Sequence, residues 1–503
     1  MAVDPGGLDL QTSLVLNGSW FGHLIYDNLV YLDNKGNIQP WLAKSWTISP
    51  DGKTYTFYLR DDVTFSDGTP FDAEAVRVNL ARIRDPATKS PLATAMIAPY
   101  VDGKVIDKYT FQANLREPYS PFLYVLAQSP MGLVSPRQIE EAPKSLQEKP
   151  IGTGPFVVEK YTRLQGVTFV RREDYHWAPP FIQHDGPAYL QRIEVSFIPE
   201  AMVRYASLDA DQFDLTMDAP PQDAAVIRAN PNLVLASRIM AGNPMRGPTL
   251  NTQREPFNDV RVRRALACAI DREGITRMMG FGEYQPKTDF LASNTPYYDP
   301  TAQGILHYDM AEANRLLDEA GWTGRDSSGY RTKDGKRLTA EVLMTQSATP
   351  SLVIIAIQSD ARKIGMEITL AEMPNAQRLI HRDQGTYQIL GNYTAHTNTA
   401  DGLYLYYHSK QIISDKLIGQ NLTRLQDPEL DDLLDRARQS TDPVVLKALY
   451  SQAQHRLVEL VPTIPLYENE ILIAYQKYVR GVLYDTSDSW PLLTAAWLDK
   501  ERS

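Results

Sequence analysis

The sequence predicts an α/β protein built around more than one core. The chain has 503 residues, more than a single hydrophobic core ordinarily supports. Hydrophobic residues make up 43% and charged residues 22%, the balance of an ordinary globular protein. A strand, helix, strand order runs through Ala340–Met344, 352–364 and 366–372. That βαβ-type unit argues for a partly parallel sheet.

The elements follow in chain order. Lys53–Arg60 alternates polar and apolar residues, as a half-buried strand does, and Asp51-Gly52 before it signals a hairpin turn. Asp72–Leu80 follows a Pro-Phe pair and opens on an acidic cap, so a helix is expected. Arg264–Asp271 reads as an amphipathic helix carrying Cys268 as a small buried residue; the other reading of Cys268 is a reactive thiol. Asp309–Gly321 is a helix with a glycine stop, and Leu352–Gly365 is another. The 34 prolines are spread along the chain, which shows no repeat and no single linker.

Several function classes are disfavoured. The net charge of −10 is the wrong sign for a nucleic-acid binder. No run of about 18 apolar residues exists to span a membrane. The single cysteine permits no intrachain disulfide and suits the bacterial periplasm or cytoplasm. The opening Met1-Ala-Val-Asp-Pro-Gly-Gly reads like the middle of a strand, so a leader is expected to have preceded it. No Gly-x-Ser-x-Gly elbow, His-Glu-x-x-His or Walker loop occurs, and Asp61-Asp62 sits on a turn. A non-enzyme is expected, although two distant glycosidase-type carboxylates would leave no motif.

Seven ordered segments carry a resemblance. They are Tyr26-Asp-Asn-Leu-Val30, Pro40-Trp-Leu-Ala-Lys-Ser-Trp46, Ser49–Arg60, Val63–Glu74, Ile151-Gly-Thr-Gly-Pro-Phe156, Pro256–Leu266 with Ala269-Ile-Asp-Arg272, and Leu316–Trp322. Together they resemble the large solute-binding proteins of ABC importers, the peptide/nickel/opine class of family 5, from about residue 3 to about residue 480. The resemblance implies a class II periplasmic-binding-protein fold: two α/β lobes joined by two crossover strands, with an extra subdomain. Lobe I is expected from 1–33, 150–245 and 478–503, the inserted subdomain from 34–149, and lobe II from 246–477. The crossovers would fall near Met240–Asn251 and Tyr475–Tyr484. Trp41 and Trp46 read as core anchors. Gly152-Thr-Gly-Pro155 lacks the Lys-Ser/Thr of a phosphate loop and resembles the family's signature turn instead.

The class also implies how ligands are held. Peptide binders carry a Trp-x-x-Asp stretch whose aspartate takes the peptide ammonium. Here Tyr393 stands at the tryptophan position, His396 at the aspartate position and Ala400 at the proline position, with Asp401 next door. A buried ammonium needs a fixed anion, which His396 cannot supply and Asp401 supplies only if the loop shifts. The arginine that dipeptide binders place before the helix at Ser351 is missing from Met344–Pro350. The arginine of nickel-chelate binders falls on Gly132. The eight histidines form no His-x3-His or Cys/His cluster, leaving His408 as a lone metal candidate. No cofactor is expected.

The expected ligand is therefore small, polar and not a peptide: an opine or a sugar-phosphate conjugate such as an agrocinopine. An oligopeptide or dipeptide is the alternative, and a nickel chelate the second. The candidate lining is Asn17, Ser19, Trp20, Met131, Arg246, Gly247, Tyr393, His396, Asn398, Asp401 and Trp490. Amides and hydroxyls read ligand hydroxyls, aromatic faces cover C–H patches, and Arg246 could clamp an anionic group. Three of these have a bland alternative: Trp20 in the core, Arg246 paired to an acidic neighbour, and Trp490-Pro491 tying down the chain end; the near-alternating Tyr404, Tyr406 and Tyr407 read as packing rather than as a stacking row for ligand. A periplasmic monomer delivering its solute to an inner-membrane ABC permease is expected.

Overall fold

The computed structural model describes residues 1–12, 19–242, 247–345, 351–393, 399–414, 419–468, 470–486 and 489–499. The chain divides into two compact units. Unit 1 comprises Met1–Arg238, Arg438–Thr441 and Ile471–Ser503; unit 2 comprises Ile239–Ala437 and Asp442–Glu470.

Unit 1 contains an antiparallel four-stranded sheet in the order Ala43–Ile48, Thr54–Leu59, Thr110–Leu115, Tyr100–Asp107. The predicted alternation along Thr54–Leu59 places Tyr55, Phe57 and Leu59 on the buried face. The hairpin before it turns on Gly52, whose φ of 68° favours a residue without a Cβ. Helix Ala73–Arg84 packs Val76, Leu80 and Ile83 into the same core. Its Asp72 cap accepts a hydrogen bond from the Ala75 amide at 3.0 Å, an arrangement worth about 1 kcal/mol. Trp41 and Trp46 pack against this core half-buried, whereas Trp177 is fully inside it. Unit 1 also holds two three-stranded sheets, beside shorter two-stranded pairings. One is antiparallel and runs Phe156–Thr162, Gly166–Arg171, Arg192–Ser196; the other orders Leu215–Thr216, Glu470–Gln476, Leu233–Ile239. The last two strands carry the chain out of unit 1 and back, and they are neighbours in one sheet.

Unit 2 holds the expected βαβ unit. Thr339–Thr345 and Glu367–Met373 pair in parallel from Thr339↔Glu367 to Thr345↔Met373, with helix Leu352–Lys363 between them. Ile389–Tyr393 also runs parallel to Thr339–Thr345, and Gly247–Leu250 closes the sheet antiparallel. Val353, Ile354 and Ile357 cover the sheet, and helices Val260–Ala269 and Met310–Glu319 join the core. Asp309 caps the second of these by accepting from the Ala311 and Glu312 amides, both at 2.9 Å. Gly321 and Gly365 end their helices with φ of 89° and 78°, as the glycine stops predict. Cys268 is buried, and burial pushes its thiol pKa up. No helix among the described residues is long and apolar enough to cross a membrane.

Candidate functional site

Three of the candidate residues meet in unit 1. Helix Ser19–Ile25 starts with Ser19 and Trp20, both buried. The Trp490 indole N–H donates to Ser19 Oγ at 2.8 Å, and the Trp20 indole N–H donates to the Pro491 carbonyl at 2.8 Å. The two tryptophans thus pin the first helix to the chain's last hairpin, in which Leu483–Tyr484 pairs with Pro491–Leu492. Both indole donors are satisfied within the protein, and the rings are only 3% and 5% exposed. In this conformation Trp20 and Trp490 are therefore packed, which is the structural reading the sequence left open for each.

Met131 lies in a short turn, Ser129–Met131, against the same helix and is buried in the unit 1 core. Next to it, a Cβ on Gly132 would sit 2.7 Å from Tyr26 Cβ. The backbone of Gly132 (φ −56°) is open to any residue. The tyrosine, not the backbone conformation, therefore crowds out a side chain at this position.

The signature turn holds the other end of that helix. The Gly154 amide donates to the Ile25 carbonyl at 2.8 Å. Cβ atoms on Gly152 and Gly154 would lie 2.0 Å and 2.5 Å from the Ile25 backbone, closer than real carbons approach. Asp27 follows immediately and is completely enclosed. It accepts from the Trp177 indole at 2.9 Å and the Tyr175 hydroxyl at 3.3 Å, while its own amide donates to Thr153 Oγ1 at 3.1 Å. Burial raises its carboxyl to about 6, against the lowering effects of the Trp177 and Thr153 hydrogen bonds and the nearby Arg172 charge. Arg172 bridges Asp174 (2.7 Å) to the Thr64 and Thr153 carbonyls. Sequence reasoning gave Asp27, Arg172 and Trp177 no role; the only available signal was the place of Asp27 within the Tyr26–Val30 segment.

In unit 2, Gly247 pairs with Tyr393 across the sheet. A Cβ on Gly247 would meet the Ile464 carbonyl at 1.8 Å, so glycine is required there by close backbone approach. Of Tyr393 only the backbone is described. Asp401 is buried at the start of helix Gly402–Tyr407, and its carbonyl accepts from the Tyr404 and Leu405 amides. Tyr404, Tyr406 and Tyr407 belong to the unit 2 core, which is the packing reading. His408 is also enclosed, with Asp431 at 3.5 Å and Asp435 at 3.3 Å, and burial lowers its pKa. No group of three or more His, Cys, Asp and Glu side chains suited to a metal ion occurs among the described residues. Asn17, Arg246, His396 and Asn398 lie outside the described residues.

Comparison with known proteins gives this arrangement a setting. Residues 37–414 match the bacterial extracellular solute-binding proteins, family 5 middle. The nickel-binding periplasmic protein of Escherichia coli (strain K12) is 32% identical over 358 residues, which are 69% of this chain but only 65% of that relative. The glutathione-binding protein GsiB of Shigella dysenteriae serotype 1 (strain Sd197) is 27% identical over 472 residues, 92% of this chain and 88% of GsiB. The solved structure of the PBP AgaA in complex with agropinic acid from A.tumefacien R10 is similar at a TM-score of 0.80 and 24% identity, covering 100% of this chain and 98% of AgaA.

The two α/β units, the two chain crossings and these likenesses define a two-lobed periplasmic-binding fold of the solute-binding class. The chain belongs to family 5 of the bacterial extracellular solute-binding proteins. Its relatives are transport proteins that bind solutes, not enzymes.

Proposed function

We propose that this family 5 binding protein is a periplasmic monomer that captures a small, polar, non-peptide solute by lobe closure and hands it to an inner-membrane ABC permease. The solute is an opine or a sugar-phosphate conjugate such as an agrocinopine. One sequence observation carries the reading: the charged grips that the family resemblance implies for peptide and nickel-chelate binders do not stand at the matching positions, with Asp401 the one nearby carboxylate, in reach only if the loop shifts. His396 replaces the ammonium-binding aspartate, and Met344–Pro350 has no basic residue. Gly132 leaves no room for the chelate-binding arginine against Tyr26. Neutral hydrogen-bonding groups such as Asn17 and Asn398, with Arg246 for an anionic group, suit a hydroxyl-rich, acidic solute. The likeness to AgaA, which binds agropinic acid, supports the same class.

A small peptide is the second reading, favoured by the likeness to GsiB over 92% of the chain. Native mass spectrometry of gently purified protein separates the two, because a solute retained by the protein reports its own mass. Thermal-shift titration with agropinic acid, an agrocinopine, glutathione and nickel–histidine extends the test. A true ligand at 100 times its Kd adds about 2.7 kcal/mol of apparent stability. Arg246→Ala is expected to weaken an anionic opine at least about tenfold, the loss of about one charged hydrogen bond. Unchanged affinity removes Arg246 from the site, and a shift with glutathione alone overturns the opine reading.

A further inference from the structure

The two chain crossings share one root in unit 2. Residues 285–298 hold the incoming segment 239–242 through three residues. The Ala292 amide donates to the Gly242 carbonyl (2.9 Å), the Gly242 amide donates to Thr295 Oγ1 (2.7 Å), and Asn294 Nδ2 donates to the Ile239 carbonyl (2.7 Å). The same stretch holds the returning segment 466–468. The Lys287 amide donates to the Leu466 carbonyl (2.9 Å) and the Glu468 amide to the Gln285 carbonyl (3.1 Å). Tyr284 stacks on Tyr467 with ring centroids 5.3 Å apart.

At the centre of this strap lies a charge cluster that packing alone does not require. Lys287 Nζ is 3.0 Å from Asp289 Oδ1 and 3.3 Å from Glu468 Oε1, and all three side chains are buried. The Tyr298 hydroxyl donates to Asp289 Oδ2 at 3.0 Å, and the ammonium lies over the Tyr298 ring at 4.2 Å. The Ser293 amide and hydroxyl donate to Glu468 at 2.7 and 3.2 Å. Two buried carboxylates thus share one buried ammonium, an arrangement that favours taking up a proton. Segment 239–242 brings no charged side chain. On the neighbouring helix Pro443–Leu460, His455 faces Asp299 instead, at 3.3 Å.

We propose that the Lys287–Asp289–Glu468 cluster is a proton-operated latch on the crossing segments, which tightens when Asp289 takes up a proton. With Asp289 neutral, Lys287 pairs with Glu468 alone, and Glu468 is the residue that the strap grips through Ser293. The latch would stiffen both crossings together as the surroundings acidify. Burial is the main cause of the carboxyl's rise from 3.8 to about 6, opposed by Lys287 and Tyr298.

Hydrogen exchange of the unliganded full-length protein tests this. The reporters are the amides of Gly242, Lys287, Ala292, Ser293 and Glu468. If their opening exposes Asp289 to water, protection corrected for intrinsic chemistry should rise about fourfold from pH 7.5 to 5.5 and about tenfold by pH 5. Asp289→Asn should abolish that rise. Tyr298→Phe removes a donor to the ionised carboxylate, so the rise should begin at a higher pH. A purely structural strap would lose protection equally at every pH in both variants. No rise in the native protein, or an undiminished rise in Asp289→Asn, overturns the latch. Should Asp289→Asn fail to fold, the native profile and the Tyr298→Phe midpoint still decide.

Discussion

Replacing Asp27 with asparagine should remove a defined part of the pH dependence of unit 1 stability. The wild-type carboxyl has a reference value of 3.8 and rises to about 6 when folded, chiefly through burial. A carboxyl raised in this way binds its proton more tightly in the folded state. Its stabilising contribution is complete below 3.8 and is lost as pH rises through 6. Between pH 7 and pH 5 the folded form gains about 1.4 kcal/mol from this proton and the unfolded form almost none, a net gain of about 1.3 kcal/mol. His408, held below its usual value by burial, works in the opposite direction over the same range. The difference between wild type and Asp27→Asn is therefore the informative quantity, not either slope alone. Urea unfolding at pH 5, 6 and 7, followed by tryptophan fluorescence, reads it, because Trp177 donates directly to Asp27. The variant should show about 1.3 kcal/mol less stabilisation on acidification than wild type. Equal pH slopes would refute the claim that this enclosed carboxylate changes protonation between folded and unfolded chains.

Other expectations follow from the same geometry. Gly154→Ala puts a carbon 2.5 Å from the Ile25 carbonyl carbon, a backbone atom that cannot rotate away, and should cost about 1–3 kcal/mol, read as a lower Tm. Trp490→Phe leaves Ser19 without its indole donor and should cost about 1–3 kcal/mol, part of it from lost packing. A double-mutant cycle with Ser19→Ala isolates the hydrogen bond, and additive losses would show that the pin carries no coupling.

Much of the fold was legible because its signals are local. The Asp309 cap and Gly321 stop lie within one helix, and the Gly52 turn sits beside the strand it launches. The parallel pairing around helix Leu352–Lys363 follows from the alternation of elements along the chain. The candidate site was less legible because its determinants are distant in sequence. Nothing local announces that Trp490 reaches Ser19, or that Arg172 and Trp177 enclose the Asp27 neighbourhood. Lys287 and Asp289 read as a charged loop until Glu468 arrives from far along the chain. The three tyrosines at 404, 406 and 407 show the converse: near-alternating spacing that could suggest a stacking row belongs to residues buried in the unit 2 core. Gly132 was singled out only through the family resemblance, and the crowding that keeps a side chain from this position comes from Tyr26, more than a hundred residues earlier.

That last contact bears on which residues position 132 can accept. Because the Tyr26 side chain fills the space a Cβ would need, position 132 cannot acquire a long cationic residue by a single exchange without first meeting a steric penalty. The tyrosine is itself tied down, its hydroxyl donating to the Leu8 carbonyl at 3.0 Å. Any exchange that puts a long side chain at position 132 would therefore have to be accompanied by a change at Tyr26.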